Sequence, residues 1–293
     1  MNKINKCILC SSDNFDIIGS LKTENGIVNV RRCKNCDHNY TEFRSESNDG
    51  TASINSTLTT SEYVEKLIKA SNDENVNINE LARNRLIYFK SVLKNENFKV
   101  LEVGCGAGGL GGGFIKAKFP NENYTGVELD QELSNVGISR GLNIINKDVM
   151  DMDLSEKFDI ICFSQVLEHI NNPTEFMQRI SKLLRKDKTA IIYLDVPNHF
   201  SLAGIFSRLI RGYKHRLGSI QWPYHCSSYS KKSLTYLIQT SIPESKFTIL
   251  IKSPSDKTFG QGGYYGIFHR IYFLLSALLN SKSMLIAIVK IDF

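Results

Sequence analysis

The stretch VLEVGCGAGGLGGGF, Val100 to Phe114, decides how the chain folds. A short β-branched run carries Glu102, and glycines follow at 104, 106, 108 and 109. Glycine lets backbone N–H groups come close to a ligand, so the turn is one that can receive a ligand. Two spacings overlap in it: Gly104-x-Gly106-x-x-Gly109, that of a dinucleotide-binding turn, and Glu102-x-Gly104-x-Gly106-x-Gly108. Glu102 separates the two readings. A pyrophosphate there would meet like charge, whereas a ligand carrying an ammonium and a sulfonium would be attracted.

Outward from this turn the pattern alternates strand and helix. KVLEV, YTGVEL, NIINKDV, FDIICFS and AIIYLDV are apolar and β-branched, with helix-like segments between them, which predicts a parallel, doubly wound α/β sheet. KFTILIK and MLIAIVKI add two further strands. Upstream, Ile78, Leu81, Ala82, Arg85, Leu86, Phe89 and Leu93 share one face of a predicted helix. Two segments fit no simple βα unit: an insertion at 198–229, and the apolar GIFHRIYFLLSALLN at 266–280, which we expect to be a helix covering a partner subunit or a substrate domain. We expect a small N-terminal module over 1–44, a polar linker with N-terminal helices over 45–96, and the main domain over 97–293.

The other acids of the main domain fit the cationic ligand. S-adenosylmethionine carries both an ammonium and a sulfonium. Glu128 ends the strand in GVELD, where a carboxylate can accept ribose hydroxyls. Asp148, in NKDVMD, follows the third strand, placed to accept the adenine amino hydrogens, with the Val149 amide beside it.

Taken in order, VLEVGCGAGG, GVELD, KDVMD and FDIICFSQVLEHINNPTEFMQRISKLLRKDKTAIIYLDVPN resemble the class I S-adenosylmethionine-dependent methyltransferases over roughly residues 97–293. The resemblance implies a Rossmann-like seven-stranded sheet and S-adenosylmethionine as cofactor. It also implies a cofactor site built from Glu102, Gly104, Cys105, Gly106, Gly108, Glu128, Leu129, Asp148, Val149 and Ser164.

Ahead of that domain stands Cys7-x2-Cys10, then twenty-two residues, then Cys33-x2-Cys36. Four thiolates from two turns suffice for a closed tetrahedral zinc site, which is structural because no position is left for water. His38 lies close enough in sequence to replace one ligand. FDIIGSL and GIVNVRR read as strands flanking the turn at 23–26. The remaining thiols, Cys105, Cys162 and Cys226, are solitary, so the seven cysteines are not a disulfide framework. The whole is similar to small-molecule methyltransferases with an N-terminal zinc-binding domain, including the sugar C-methyltransferases, in which that domain helps enclose the substrate.

The acceptor is read from the insertion. Residues 196–243 contain no Asp or Glu but hold Arg208, Arg211, Lys214, Arg216, Lys231 and Lys232, which suits an anionic acceptor such as a nucleotide-linked sugar. WPYHCSSYSKKSL is similar to the segment H-x-x-x-[FY]-S-x-x-S-L of sugar C-methyltransferases, matched by His225, Tyr229, Ser230, Ser233 and Leu234. There an acid precedes the histidine; here it is Tyr224, which turns the expectation toward O-methylation. His225 and His169 are the candidate catalytic residues, with His199 third; His169 can also shape the methionine pocket. The fourth strand ends FSQVLEHI, without the Asn/Asp-Pro-Pro-aromatic turn used on exocyclic base amines, so no nucleic-acid partner is expected. An RNA methyltransferase with a zinc-ribbon reader, or a non-catalytic cofactor-binding scaffold, is the alternative.

The bulk numbers agree with a globular protein. The chain has 293 residues, 42% of them hydrophobic, and a net charge of +6. Its start is polar, and its longest apolar run, near 271–279, is too short to span a bilayer. We expect a soluble cytoplasmic protein with no membrane span, compatible with a homodimer.

Overall fold

The computed structural model describes residues 2–23, 26–44, 65, 68–69, 76–199, 216–217, 219–222, 225–243, 245–252 and 284–292. The 45–60 linker, the apolar 266–280 segment, and Arg208, Arg211 and Lys214 lie outside the described residues.

The strands are β1 Asn2–Lys3, β2 Phe15–Thr23, β3 Gly26–Cys33, β4 Asn39–Thr41, β5 Phe43–Arg44, β6 Val100–Val103, β7 Tyr124–Glu128, β8 Ile144–Asn146, β9 Ile160–Ser164, β10 Ala190–Pro197, β11 Arg216–Leu217, β12 Ile220–Gln221, β13 Ser227–Ser228, β14 Lys246–Lys252 and β15 Met284–Ile291. The helices that matter here are α1 Val76–Leu93, α2 Gly109–Lys116, α3 Gln131–Ser139, α4 Pro173–Lys182 and α5 Lys231–Ser241.

The main sheet has seven strands in the order β14-β15-β10-β9-β6-β7-β8. β8, β7, β6, β9 and β10 run parallel, but β15 lies antiparallel between β10 and β14. The five strands read as parallel from their sequence are parallel, and the reversed strand is one of the two that close the sheet. Lys252, the last residue of β14, is partnered by Met284, the first of β15, so the chain re-enters the sheet at the edge it left and must run back.

Each central strand is buried on both faces, which explains the unbroken apolar runs. In β9, Ile160 and Cys162 face a core shared with Leu86, Phe89, Phe114 and Tyr193. Ile161 and Phe163 face the opposite core, shared with Phe176, Ile180, Leu234 and Leu285. Helix starts are fixed locally. Asp130 caps α3 by accepting from the Leu133 amide, Asn172 precedes Pro173 at the first turn of α4, and Ser230 and Ser233 form a reciprocal cap on α5. α2 is glycine-rich, a poor helix composition. Packing explains it: a Cβ on Gly113 would lie 2.6 Å from the Ala82 methyl of α1, so glycine lets the two helices touch.

The N-terminal residues form a second sheet, ordered β13-β4-β3-β2. Its first strand is not N-terminal: Ser227 and Ser228 pair with Tyr40 and Asn39, and the Thr41 amide donates to the Cys226 carbonyl. Cys7, Cys33, Cys36 and Tyr40 also join Tyr229 and Leu234 in the core under the main sheet. The cysteine-bearing sheet is therefore stitched to the last residues of the insertion. Among the described residues no helix is long and apolar enough to cross a membrane.

Candidate active site and metal centre

β6 is the strand at which the sheet order reverses, with β7 on one side and β9 on the other. In open α/β sheets ligands bind outside the strand ends at such a point. The glycine turn sits there. Gly104, Gly106 and Gly108 have φ of +66°, +56° and +75°, a region other residues enter only with strain. Their surroundings differ. A Cβ on Gly104 would meet Val166 at 2.6 Å and one on Gly108 would meet Leu142 at 2.3 Å, but one on Gly106 would meet nothing within 4 Å. The open side of the turn lies at Gly106.

Glu128, at the end of β7, borders that opening. Its carboxylate accepts from the Gly106 amide at 2.8 Å and the Asp130 amide at 2.9 Å. Burial pushes its pKa up, and these two amides oppose the shift. Leu129 follows it, half-buried. Asp148 caps the short 3-10 turn Val149–Asp151 by accepting from the Met150 amide. Cys105 is buried beneath the turn against Gly126.

Glu102 is 7% exposed and enclosed. It accepts from the Tyr124 hydroxyl at 2.6 Å and from the Gly111 amide. Burial raises its pKa from 4.5 to about 7, against the pull of Tyr124 and the Arg85 charge. It braces the turn from below. Ser164, expected at the cofactor, donates instead to Asp195 at 2.7 Å and accepts from Arg85 at 3.1 Å. Arg85 and Asp195 form a buried ion pair at 2.9 Å between α1 and β10. Asp195 also accepts from Gln165, which holds a left-handed φ of 55° just after β9. The sequence reading missed this network, although Arg85 stood on the apolar face of its helix, where a cation calls for a buried acid.

The candidate catalytic histidines come together from distant segments. Leu167–His169 form a 3-10 turn after β9, and there the His169 ring stands perpendicular to that of His225, with centroids 4.6 Å apart. His225 Nδ1 lies 3.0 Å from the Ser219 carbonyl, which can only accept, so Nδ1 carries a proton and the neutral ring would have its lone pair on Nε2. His199 is buried, its Nδ1 3.1 Å from the Ser228 hydroxyl, which also contacts the Ser219 hydroxyl. Glu168 was part of the quoted motif but not of the expected site. It is 1% exposed, neither of its carboxylate oxygens has a hydrogen-bond partner, and burial raises its pKa to about 8.

The four paired cysteines converge. Their sulfurs all lie within 4.8 Å of one another, with Cys7–Cys36 at 3.5 Å and Cys10–Cys33 at 3.4 Å. Sulfurs around a tetrahedral zinc stand about 3.8 Å apart, so the donor set fits that ion. Both knuckles turn alike: Ser11 and Asp37 have positive φ, and their amides donate to the Cys7 and Cys33 carbonyls. His38 is buried beside the Tyr40 and Tyr229 rings, and the converging set is the four thiols without it.

Comparison with known proteins agrees with this arrangement. The methyltransferase-domain family matches residues 69–241, more than half of the chain. A (S)-tetrahydroprotoberberine N-methyltransferase of Eschscholzia californica is 27% identical over 137 residues, 43% of this chain and 38% of its own length. A ubiquinone biosynthesis O-methyltransferase of Actinobacillus pleuropneumoniae serotype 7 (strain AP76) is 33% identical over 101 residues, 30% of this chain and 42% of its own. The chain thus spans about two fifths of the length of the curated relatives it matches. The solved structure of the plantazolicin methyltransferase BpumL in complex with SAH superposes with a TM-score of 0.56 at 16% identity, over 83% of this chain and 95% of that one, a likeness of fold. With the glycine turn at the switch point and the family match across it, the chain belongs to the methyltransferase-domain family, among the class I S-adenosylmethionine-dependent methyltransferases.

Proposed function

We propose that the protein transfers a methyl group from S-adenosylmethionine to a hydroxyl of a small anionic acceptor, such as a nucleotide-linked sugar. The observation that carries the reading is the open side of the turn at Gly106, beside Glu128 and on the same sheet edge as the His169–His225 pair. When bound, S-adenosylmethionine supplies a methyl group on a positively charged sulfur. Glu128 would take the ribose hydroxyls, Asp148 and the Val149 amide the adenine edge, and Glu102 would favour the cationic end through the turn. The chain's remaining tasks are alignment and removal of the acceptor proton. His225, with its Nε2 lone pair, and His169 stand where that proton would be handled.

Both quoted curated relatives are named for transfer to nitrogen or oxygen, which supports a heteroatom acceptor over carbon. The exposed Lys231 and Lys232, at the start of α5, support an anionic one. We further propose that Cys7, Cys10, Cys33 and Cys36 hold a structural zinc ion, and that the protein works in the cytoplasm. Incubating the protein with S-adenosylmethionine and a panel of nucleotide sugars, and watching by mass spectrometry for the mass of one added methyl group, tests the reading. No methylated product from any anionic sugar, together with cofactor binding by calorimetry, would remove the acceptor class and keep the donor.

A further inference from the structure

We propose that Glu168, His169 and His225 form a second metal centre, for a divalent transition-metal ion, on the acceptor side of the cleft. One ligand atom from each lies within 4.8 Å of the other two. Ligands bonded at about 2.1 Å to one ion stand roughly 3–3.5 Å apart, so small side-chain rotations close the set. The residues come from two segments, the turn after β9 and the approach to β13, and nothing in the chain's local spacing forces them together.

The second observation is Glu168 itself. It is 1% exposed, and neither oxygen accepts a hydrogen bond. A buried carboxylate is costly unless a cation or donors satisfy it. Asp195, another buried acid at this edge, has Arg85, Ser164 and Gln165; Glu168 has the two imidazoles close by. It accepts a hydrogen bond from neither, so the three groups are spaced as ligands around a centre and not as a proton relay. His225 adds the orienting contact that metal-bound histidines commonly have: its Nδ1 faces the Ser219 carbonyl.

Two imidazoles and one carboxylate suit zinc, iron, manganese or cobalt better than magnesium or calcium, which prefer all-oxygen sets. Three protein ligands leave positions open. Resting on the methyl-transfer reading above, the open position would take the acceptor hydroxyl. With the imidazoles bound to it, the ion would replace them in proton removal: it would favour loss of the hydroxyl proton to solvent, the oxygen–carbon bond would form, and the donor's carbon–sulfur bond would break.

The test uses the full chain with its thiolate centre first filled with zinc, then titrated with cobalt(II) and followed by visible absorption and metal analysis. The expected result is one equivalent of cobalt beyond the zinc, with weak d–d absorption and no thiolate charge-transfer band. Glu168→Gln, close in shape but neutral, should weaken that equivalent at least ~10-fold, and His225→Asn should do the same. Zinc retention at the cysteines and calorimetry with S-adenosylmethionine report folding and donor binding separately. Failure of donor binding would therefore count against the methyltransferase reading and not against the metal. Binding of no second equivalent by the wild-type chain, or a second equivalent that survives both substitutions, overturns the proposal.

Discussion

The two halves of the cleft are built by different means. On the side proposed for the donor, each residue sits at the end of its own strand: Gly104 and Gly106 after β6, Glu128 at the end of β7, Asp148 after β8. The strand that precedes each residue also places it. On the acceptor side, His169 follows β9, whereas His225 is held by the Ser219 carbonyl and by a strand that pairs with Tyr40 and Asn39 of the cysteine-bearing sheet. The Ser230 hydroxyl reaches the Asp37 carbonyl at 3.4 Å, and the Tyr229 hydroxyl reaches the Leu167 carbonyl at 3.3 Å. The donor half can form from the sheet alone; the acceptor half needs the N-terminal sheet. Acceptor choice can therefore change without disturbing the donor machinery.

The harshest way to break that division is to remove the metal expected at the cysteines. Structural zinc in small thiolate sites contributes on the order of 10 kcal/mol of binding free energy, much of it folding free energy. Cys33→Ser should lose zinc by metal analysis and loosen β4, and with it the β4–β13 pairing, so turnover should collapse. Cofactor affinity should fall far less, because the glycine turn shares no hydrogen bond with that sheet among those described. Full zinc occupancy in each single Cys→Ser variant would show the assignment to be wrong. Equal losses of turnover and cofactor affinity would erase the division itself.

A smaller cut stays within the acceptor half. His225→Ala should lower kcat by roughly 10²–10⁴-fold with cofactor affinity nearly unchanged. His169→Ala sharpens the comparison, because His169 belongs to both halves, following β9 and packing perpendicular to His225. If it shapes the methionine pocket, its loss should also weaken S-adenosylmethionine binding, read by calorimetry. Near-normal turnover in His225→Ala would move proton removal to another group.

The same division explains what was legible beforehand. Alternating apolar runs and the glycine spacing announced the sheet and the turn after β6, because period and turn chemistry are local signals. The two CxxC pairs announced the thiolate cluster for the same reason. The reversal of β15 was not legible, since strand direction depends on where the chain re-enters the sheet. Neither was the pairing of Tyr40 with Ser227, whose partners lie far apart in sequence and carry no pattern of their own. Glu168 was hidden by its setting: an acid in a Leu-Glu-His turn looks solvated until burial is known. The engagement of the Ser164 hydroxyl with the Arg85–Asp195 pair was equally hidden.

Within the donor half, Gly106 and Glu128 offer a graded test. Gly106→Val would place a side chain in the opening and strain a φ of +56°, so cofactor binding should be abolished. Glu128→Ala should weaken it by about 1–3 kcal/mol, the range for charged hydrogen bonds to hydroxyls. Unchanged affinity in both variants would sink the placement of the cofactor at this turn.

The smallest effect concerns Glu102 and runs through pH. Burial raises its pKa from 4.5 to about 7 in the free protein; the Tyr124 hydroxyl and the Arg85 charge pull it down, and Glu128 adds to the rise. The sign follows from linkage. The fold favours the protonated form, so this group's contribution to stability is full below about 4.5 and is lost as pH rises through about 7. A cationic ligand favours the ionised form instead, so binding would release a proton wherever Glu102 is still protonated. Affinity for S-adenosylmethionine should therefore strengthen as pH rises toward about 7, by at most ~10-fold per pH unit, and level off above. The ligand's own amine also titrates, and Glu102→Gln subtracts it, since the variant keeps the Tyr124 neighbour and loses the charge. Calorimetry of both proteins across that range isolates the difference. A difference that is flat with pH would mean that Glu102 only braces the turn, through Tyr124 and the Gly111 amide, and that the cationic end is recognised elsewhere.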